Sequence, residues 1–456
     1  MAYTLADLSR EEAWLPFEPT SRQPFDRRMA AHLYRRAGFA ASTQELDEAV
    51  KVGPRVAVQK LLSAESTSGA FDEEMQKFAK LTLAANNPEL LTGWWLHRMR
   101  HTPAPLLEKM TLFWHGHFAT SAAKVRDPKL MFQQNELLRK HALGKFEPLV
   151  LGMARDPAML LYLDSATNRK NHPNENFARE VMELFCLGVG NYSEQDIQQL
   201  ARCFTGWEVQ HGAFVFNAYQ HDTGVKKVLG SAGQFDGDDG VRVILRQPAA
   251  ATFVCTKLVR FFVGDEPEVP AEWTEPLAQC YRDHGLTVGP VLETIFNSRL
   301  FYSAASIGCK VRSPVELGVG LLRALDASAN MVQLSGRLRE LGQMPFYPPN
   351  VKGWDGGRTW IDSSALLGRA KLVRTIVESP ETRFGGVSLE EYLDAQGLKS
   401  NAAIVDWLSE LLVAVPLASD VRLQLIERLD RSEKSRPLAL KQLLHVLGSL
   451  PEFQLA

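Results

Sequence analysis

Residues Asn171–Trp207, NHPNENFAREVMELFCLGVGNYSEQDIQQLARCFTGW, decide the fold. They read as two helices, over 174–187 and 193–205. The second opens with the capping pair Ser193 and Asp196, buries Ile197, Leu200, Ala201 and Phe204, and ends at Gly206. The first sets Phe177, Val181, Leu184 and Phe185 on one face. Glu175, Arg179 and Glu183 form a stripe on the other at i, i+4, i+8, with Asn176 and Glu180 beside it. Helical signals recur outward in both directions. Asp26–Ala37 is stopped by Gly38, and Ser42 with Glu45 makes a capping box. Leu106, Leu107, Met110, Phe113 and Trp114 give Pro103–His115 an apolar stripe. Asp127-Pro128 is an N-cap followed by Pro at the first helical position.

Segments 238–264 and 290–301 are also helical, and from Ser388 onward the pattern is that of a short helical bundle. Only Glu208–Gly230 alternates apolar and polar residues with Gly punctuation, as a hairpin does. Gly342–Trp360, rich in Pro, Gly and Trp, is expected to be an ordered irregular loop. The expected fold is mainly α: a multi-helix globular fold with one small β-hairpin insertion near 208–230. A chain of 456 residues is long for one core, so two lobes are expected. The boundaries drawn are an N-terminal extension over 1–25, a helical core over 26–375 and a C-terminal helical segment over 386–456.

Composition excludes several classes. A hydrophobic share of 45%, a charged share of 23% and a net charge of −2 are those of an ordinary soluble protein. They lack the basic excess of a nucleic-acid binder. There is no uninterrupted apolar run of about 18 residues, so no membrane span is expected. The N-terminal MAYTLADLSREEAWLPFEP has neither a basic start nor an apolar run, which gives a cytoplasmic expectation. Cys186, Cys203, Cys255, Cys280 and Cys309 are isolated and odd in number, and read as small apolar residues rather than a disulfide or zinc framework. GxSxG, Walker, GxGxxG and HExxH motifs are all missing, which disfavours the standard hydrolase, NTPase, Rossmann and zincin classes.

Three places carry candidate chemistry. In WHGHF (Trp114–Phe118), His115 and His117 stand two residues apart, about 200° around a continuous helix. If Gly116 breaks that helix, both imidazoles are free to hold a divalent metal; otherwise one caps the helix and the other packs beneath an aromatic ring. At the mouth of the next helix, His172, Asn174, Glu175 and Asn176 crowd free backbone N–H groups that suit an anion. In YQHDTGVK, Asp222 reads as a turn residue and His221 as a ligand or general base. Asp236, Asp238 and Asp239 read as a helix N-cap cluster rather than a calcium loop.

The enzymatic expectation takes Glu175, Glu180, Arg179 and His221 as the catalytic candidates and His115 with His117 as the metal ligands. Arg179 would orient an anionic group of the substrate. The alternative is a non-catalytic scaffold or partner protein, in which the same polar groups form a buried structural network.

The blocks HLYRRAGFAAS (His32–Ser42), EKMTLFWHGHFATS (Glu108–Ser121), NENFAREVMELFCLGVGNYSEQDIQQLARCFTGW (Asn174–Trp207), HDTGVKKVLG (His221–Gly230), KLVRFFVG (Lys257–Gly264) and GQMPFYPPNVKGWDGGRTWI (Gly342–Ile361) resemble the bacterial domain of unknown function 1800. The likeness spans about Asp26 to Arg374 in order. It implies a largely helical domain, often beside a partner of the sulfatase-like domain of unknown function 1501 family, and it implies no established reaction. Many relatives are exported, unlike the expectation for this chain. The family's motif positions fall on Arg36, Gly38, Trp114, His117, Asn174, Glu175, Asn176, Arg179, Glu180, Trp207, His221, Asp222 and Trp354. Gly116 stands where the family motif has Asn, and Gln247 where it has His.

Overall fold

Side-chain caps fix where the helices begin. Ser42, Ser193, Ser313 and Ser388 each accept a bond from the backbone N–H three residues on. The acid at that position in turn accepts the backbone N–H of the cap residue. Asp127 caps Pro128–His141 by accepting the Lys129 and Leu130 N–H groups, with Pro at the first helical position. The computed structural model describes residues 8–63, 69–265 and 269–456; of the N-terminal extension expected over 1–25, residues 1–7 lie outside the described residues. The chain is mainly helical, and its strands are confined to small two-stranded antiparallel sheets. One buried apolar cluster runs from Leu8 to Phe453 and includes Leu408, Leu412 and Leu444 of the C-terminal helices. Among the described residues, no helix is long and apolar enough to cross a membrane.

Two short hairpins occupy the region where one was expected. Trp207–Gln210 pairs with Ala213–Phe216, and Lys226–Val228 with Ser231–Gly233. Their two-residue turns, His211-Gly212 and Leu229-Gly230, hold positive φ at both positions, the twist that suits tight hairpins. The expected helix over 238–264 is two, Gly237–Leu245 and Pro248–Phe262, because Pro248 pushes Gln247 into extended backbone. Asp236 and Asp239 form a capping box at the first of these, as the N-cap reading had it. A Cβ on Gly237 would lie 2.1 Å from the Trp207 ring, which is itself packed between Phe204 and Phe214. Gly237→Ala is therefore expected to cost at least about 2–3 kcal/mol, read as a lower urea midpoint with unchanged m.

Pro105–His117 departs furthest from its apolar-stripe expectation. It is buried on nearly every side, including Glu108, Lys109, His115 and His117. Its ionic residues are paired: Glu108 receives Arg98, Arg139 and the Trp95 indole, and Lys109 meets Glu316. Trp114 donates its indole N–H to the Ala142 carbonyl and stacks on Phe146 at 5.5 Å. The molecule is thus organised around this helix, and WHGHF is its last turn.

Candidate functional site

Gly116 does not break the helix, which runs through it to His117. The two imidazoles accordingly turn to different neighbours, and the convergence expected of a metal pair is not formed. His115 Nε2 accepts the Phe346 N–H at 2.9 Å, and its ring packs against Trp95, Phe346 and Trp354. His117 sets Nε2 2.9 Å from the Phe185 carbonyl and Nδ1 3.3 Å from Lys257 Nζ. Both rings are neutral. Burial holds His115 down at about 3, and burial with the Lys257 charge holds His117 well below its ordinary value. With Lys257 donating to Nδ1, His117 carries its proton on Nε2 and donates to Phe185. Among the described residues, no group of three or more His, Cys, Asp or Glu side chains is placed to hold a metal ion.

The Asn176–Glu180 helix continues as a π-helix over Val181–Cys186, where a regular helix was expected over 174–187. Leu187 and Gly188 N–H both bond to the Met182 carbonyl, leaving later carbonyls to side chains. Lys257 Nζ takes the Leu184 carbonyl at 2.9 Å, His117 takes Phe185, and Asn191 takes Leu187. WHGHF therefore meets the far end of this helix and not its mouth, which lies at least about 10 Å away. At the mouth, Asn174 Oδ1 already accepts the Asn176 N–H, and the Asn174 amide group binds the Asp164 carbonyl.

The other candidates are held in local interactions. Arg179 forms a fork on Glu194 at 2.8 and 2.7 Å and also reaches Glu175, so its guanidinium is occupied at the surface. Glu180 is half-buried, and burial with the nearby Glu183 raises its pKa, opposed by Arg179 and Lys352. His221 Nδ1 lies 2.8 Å from the Thr205 carbonyl. It borders a separate shallow depression with Lys170, Tyr219 and Asp222. Asp222 accepts the Gly224 N–H in a turn and pairs with Arg202. Of the six residues singled out as catalytic or metal-binding, only His117 lines an aromatic-walled cleft beneath the 352–360 loop.

That cleft, about 360 Å³, lies between WHGHF, the Pro248–Phe262 helix, the start of Pro314–Ala324 and the 352–360 loop. Its walls are aromatic, from Phe113, Phe261, Trp354 and Trp360, and its charges are Lys257, Arg260, Lys310, Lys352, Asp265, Glu316 and Asp355. Lys310 pairs with Asp265 at 3.4 Å, and Glu316 with Lys109. Among the described residues this leaves Lys257, Arg260 and Lys352 without a carboxylate partner, facing Asp355 alone. Burial lowers the Lys257 ammonium to about 8.

The loop seats by direct backbone contact. Gly353 has φ +81°, and a Cβ there would lie 2.2 Å from the Gly116 carbonyl oxygen. The Trp354 indole N–H is held by the Gly342 carbonyl at 2.9 Å. A Cβ on Gly116 would meet only the Trp354 ring, at 3.8 Å, an ordinary van der Waals contact.

Beyond His117, Gly116 and the motif position Trp354, the cleft residues were missed as candidates, although Lys257–Gly264 and Gly342–Ile361 had already been marked by the resemblance. One signal was readable. Lys257 and Arg260 share a helix face, yet no acid stands three or four residues from either.

Fold and cleft together define a mainly helical protein with a cationic, aromatic-walled cavity of small-molecule size. The chain belongs to the family described as Protein of unknown function (DUF1800), whose model matches residues 32–455. No curated protein and no solved structure matches it.

Proposed function

We propose that the protein binds a small organic anion in this cleft. Lys257 and Arg260 take the charge, Lys352 closes from the loop, and the aromatic walls take a ring or other flat apolar part. The observation that carries this is Lys257: a largely buried ammonium whose protein partners are the Leu184 carbonyl, His117 and the Phe253 ring, all uncharged. A buried charge without a counter-ion is costly, and an anionic ligand would supply one. Titration with sulfate, followed by the fluorescence of Trp354 and Trp360, tests it. Saturable quenching or enhancement is expected, and a response no different from chloride at equal ionic strength would refute it.

The pH dependence has a definite sign. The ammonium form of Lys257 binds the anion, so affinity should fall as pH rises through about 8. Sulfate keeps its charge over this range, so the change belongs to the protein. A flat profile from pH 7 to 9.5 would remove Lys257 from the binding step.

A second reading, the structural scaffold, is favoured by the buried hydrogen bonds of His115 and His117. His115 holds the 342–360 loop through Phe346, and His117 holds the end of the π-helix. His117→Ala would orphan the Phe185 carbonyl and leave a cavity, with an expected loss of about 2–4 kcal/mol. Chemical denaturation reads this directly; stability equal to wild type would mean the ring is not structural.

A further inference from the structure

A second, more open depression of about 810 Å³ lies on the other side of Lys257 and Arg260, and these two side chains line both spaces. They stand one helical turn apart on the same face, forming a cationic ridge between two compartments. The compartments differ in character. The first is walled by aromatic rings, while the second is lined by Pro248, Ala249, Thr252, Phe253 and Thr256. The charged residues it adds, Glu275 and Arg282, are paired with each other. Among the described residues, the second compartment thus has no unpaired cation other than the ridge itself.

We infer that the ligand carries its negative charge in its interior, as a small organic phosphodiester does, with one uncharged group in each compartment; this rests on the anion-binding reading above. A terminal phosphate or carboxylate would place its charge on the ridge and leave one compartment filled only with water. A diester places a single anionic centre on the ridge and an ester substituent on either side. The aromatic compartment takes a ring, and the second takes a smaller or more polar group against Phe253 and the threonines.

The test compares three probes by isothermal titration at pH 7: inorganic phosphate, phenyl phosphate and diphenyl phosphate. Diphenyl phosphate is expected to bind at least about tenfold more tightly than phenyl phosphate despite its lower charge, because it buries a second ring. Thr252→Trp, which fills the second compartment, should erase that advantage and leave phenyl phosphate within about twofold. If phenyl phosphate binds wild type as tightly as the diester or more so, the two-compartment ligand is overturned while the anion site stands. If none of the three binds, both fall. Wild-type probe comparison decides the question even if Thr252→Trp does not fold.

Discussion

Glu108→Gln is expected to lower stability by about 3–5 kcal/mol. Glu108 is fully buried in the central helix and holds Arg98 at 2.7 Å, Arg139 at 2.6 and 2.9 Å, and the Trp95 indole at 2.8 Å. Glutamine preserves the shape and removes the charge, leaving two nearly buried guanidinium groups with weaker partners. Asp72 is 2.6 Å from Arg98 but on a more exposed side, and Glu136 beside Arg139 is likewise closer to solvent. The pH dependence follows. Burial alone would raise the Glu108 pKa, but the two arginines overcome it and hold it at about 2. An unfolded glutamate titrates near about 4.3. The folded value is the lower one, so this stabilisation is fully present above about pH 4.3 and is lost as pH falls through about 2. Urea midpoints measured between pH 7 and 3 should fall toward acid in wild type and fall less in Glu108→Gln. A variant as stable as wild type at neutral pH would show that the arginines do not need this carboxylate.

Lys257→Met is expected to weaken sulfate binding by roughly 10–100-fold, the range of one lost charge-assisted contact. Methionine keeps an unbranched side chain of similar reach and similar helix propensity, so Pro248–Phe262 should persist. Its far-ultraviolet circular dichroism should match wild type. Any loss of stability should be smaller than that of His117→Ala, because His117 still bonds to Phe185 in the variant. Full sulfate affinity in a folded Lys257→Met protein would place the anion elsewhere, and the proposed cleft would lose its principal residue.

Much of the fold was legible because helix starts are local. Ser42 with Glu45, Ser193 with Asp196 and Asp127-Pro128 behave in the structure as their spacing indicated. The Pro105–His117 helix was less legible, since its apolar stripe says nothing about whether Glu108 and Lys109 face solvent. Their partners, Arg98, Arg139 and Glu316, lie on other helices. The π-helix over Val181–Cys186 has no local signature of that kind, and the Leu184 and Phe185 carbonyls are met by Lys257 and His117 from distant segments.

The candidate site was legible in part. WHGHF proved to be a junction, with His115 and His117 reaching two other marked segments in opposite directions. The dense polar helix at 174–187 drew attention by its charge, yet Arg179 and Glu194 satisfy each other at the surface. The cleft's unpaired cations were harder to see for the opposite reason. Lys257 and Arg260 share a helix face, but Lys352 joins them only where the loop seats Gly353 on Gly116.

Anomalous diffraction from crystals soaked in sodium tungstate, a heavy tetrahedral oxyanion, tests the central claim most directly. Tungstate is expected within hydrogen-bond distance of Lys257 Nζ and the Arg260 guanidinium, at the ridge between the two compartments. Tungstate at the Asn174–Asn176 helix mouth or beside His221, with none at Lys257, would contradict it.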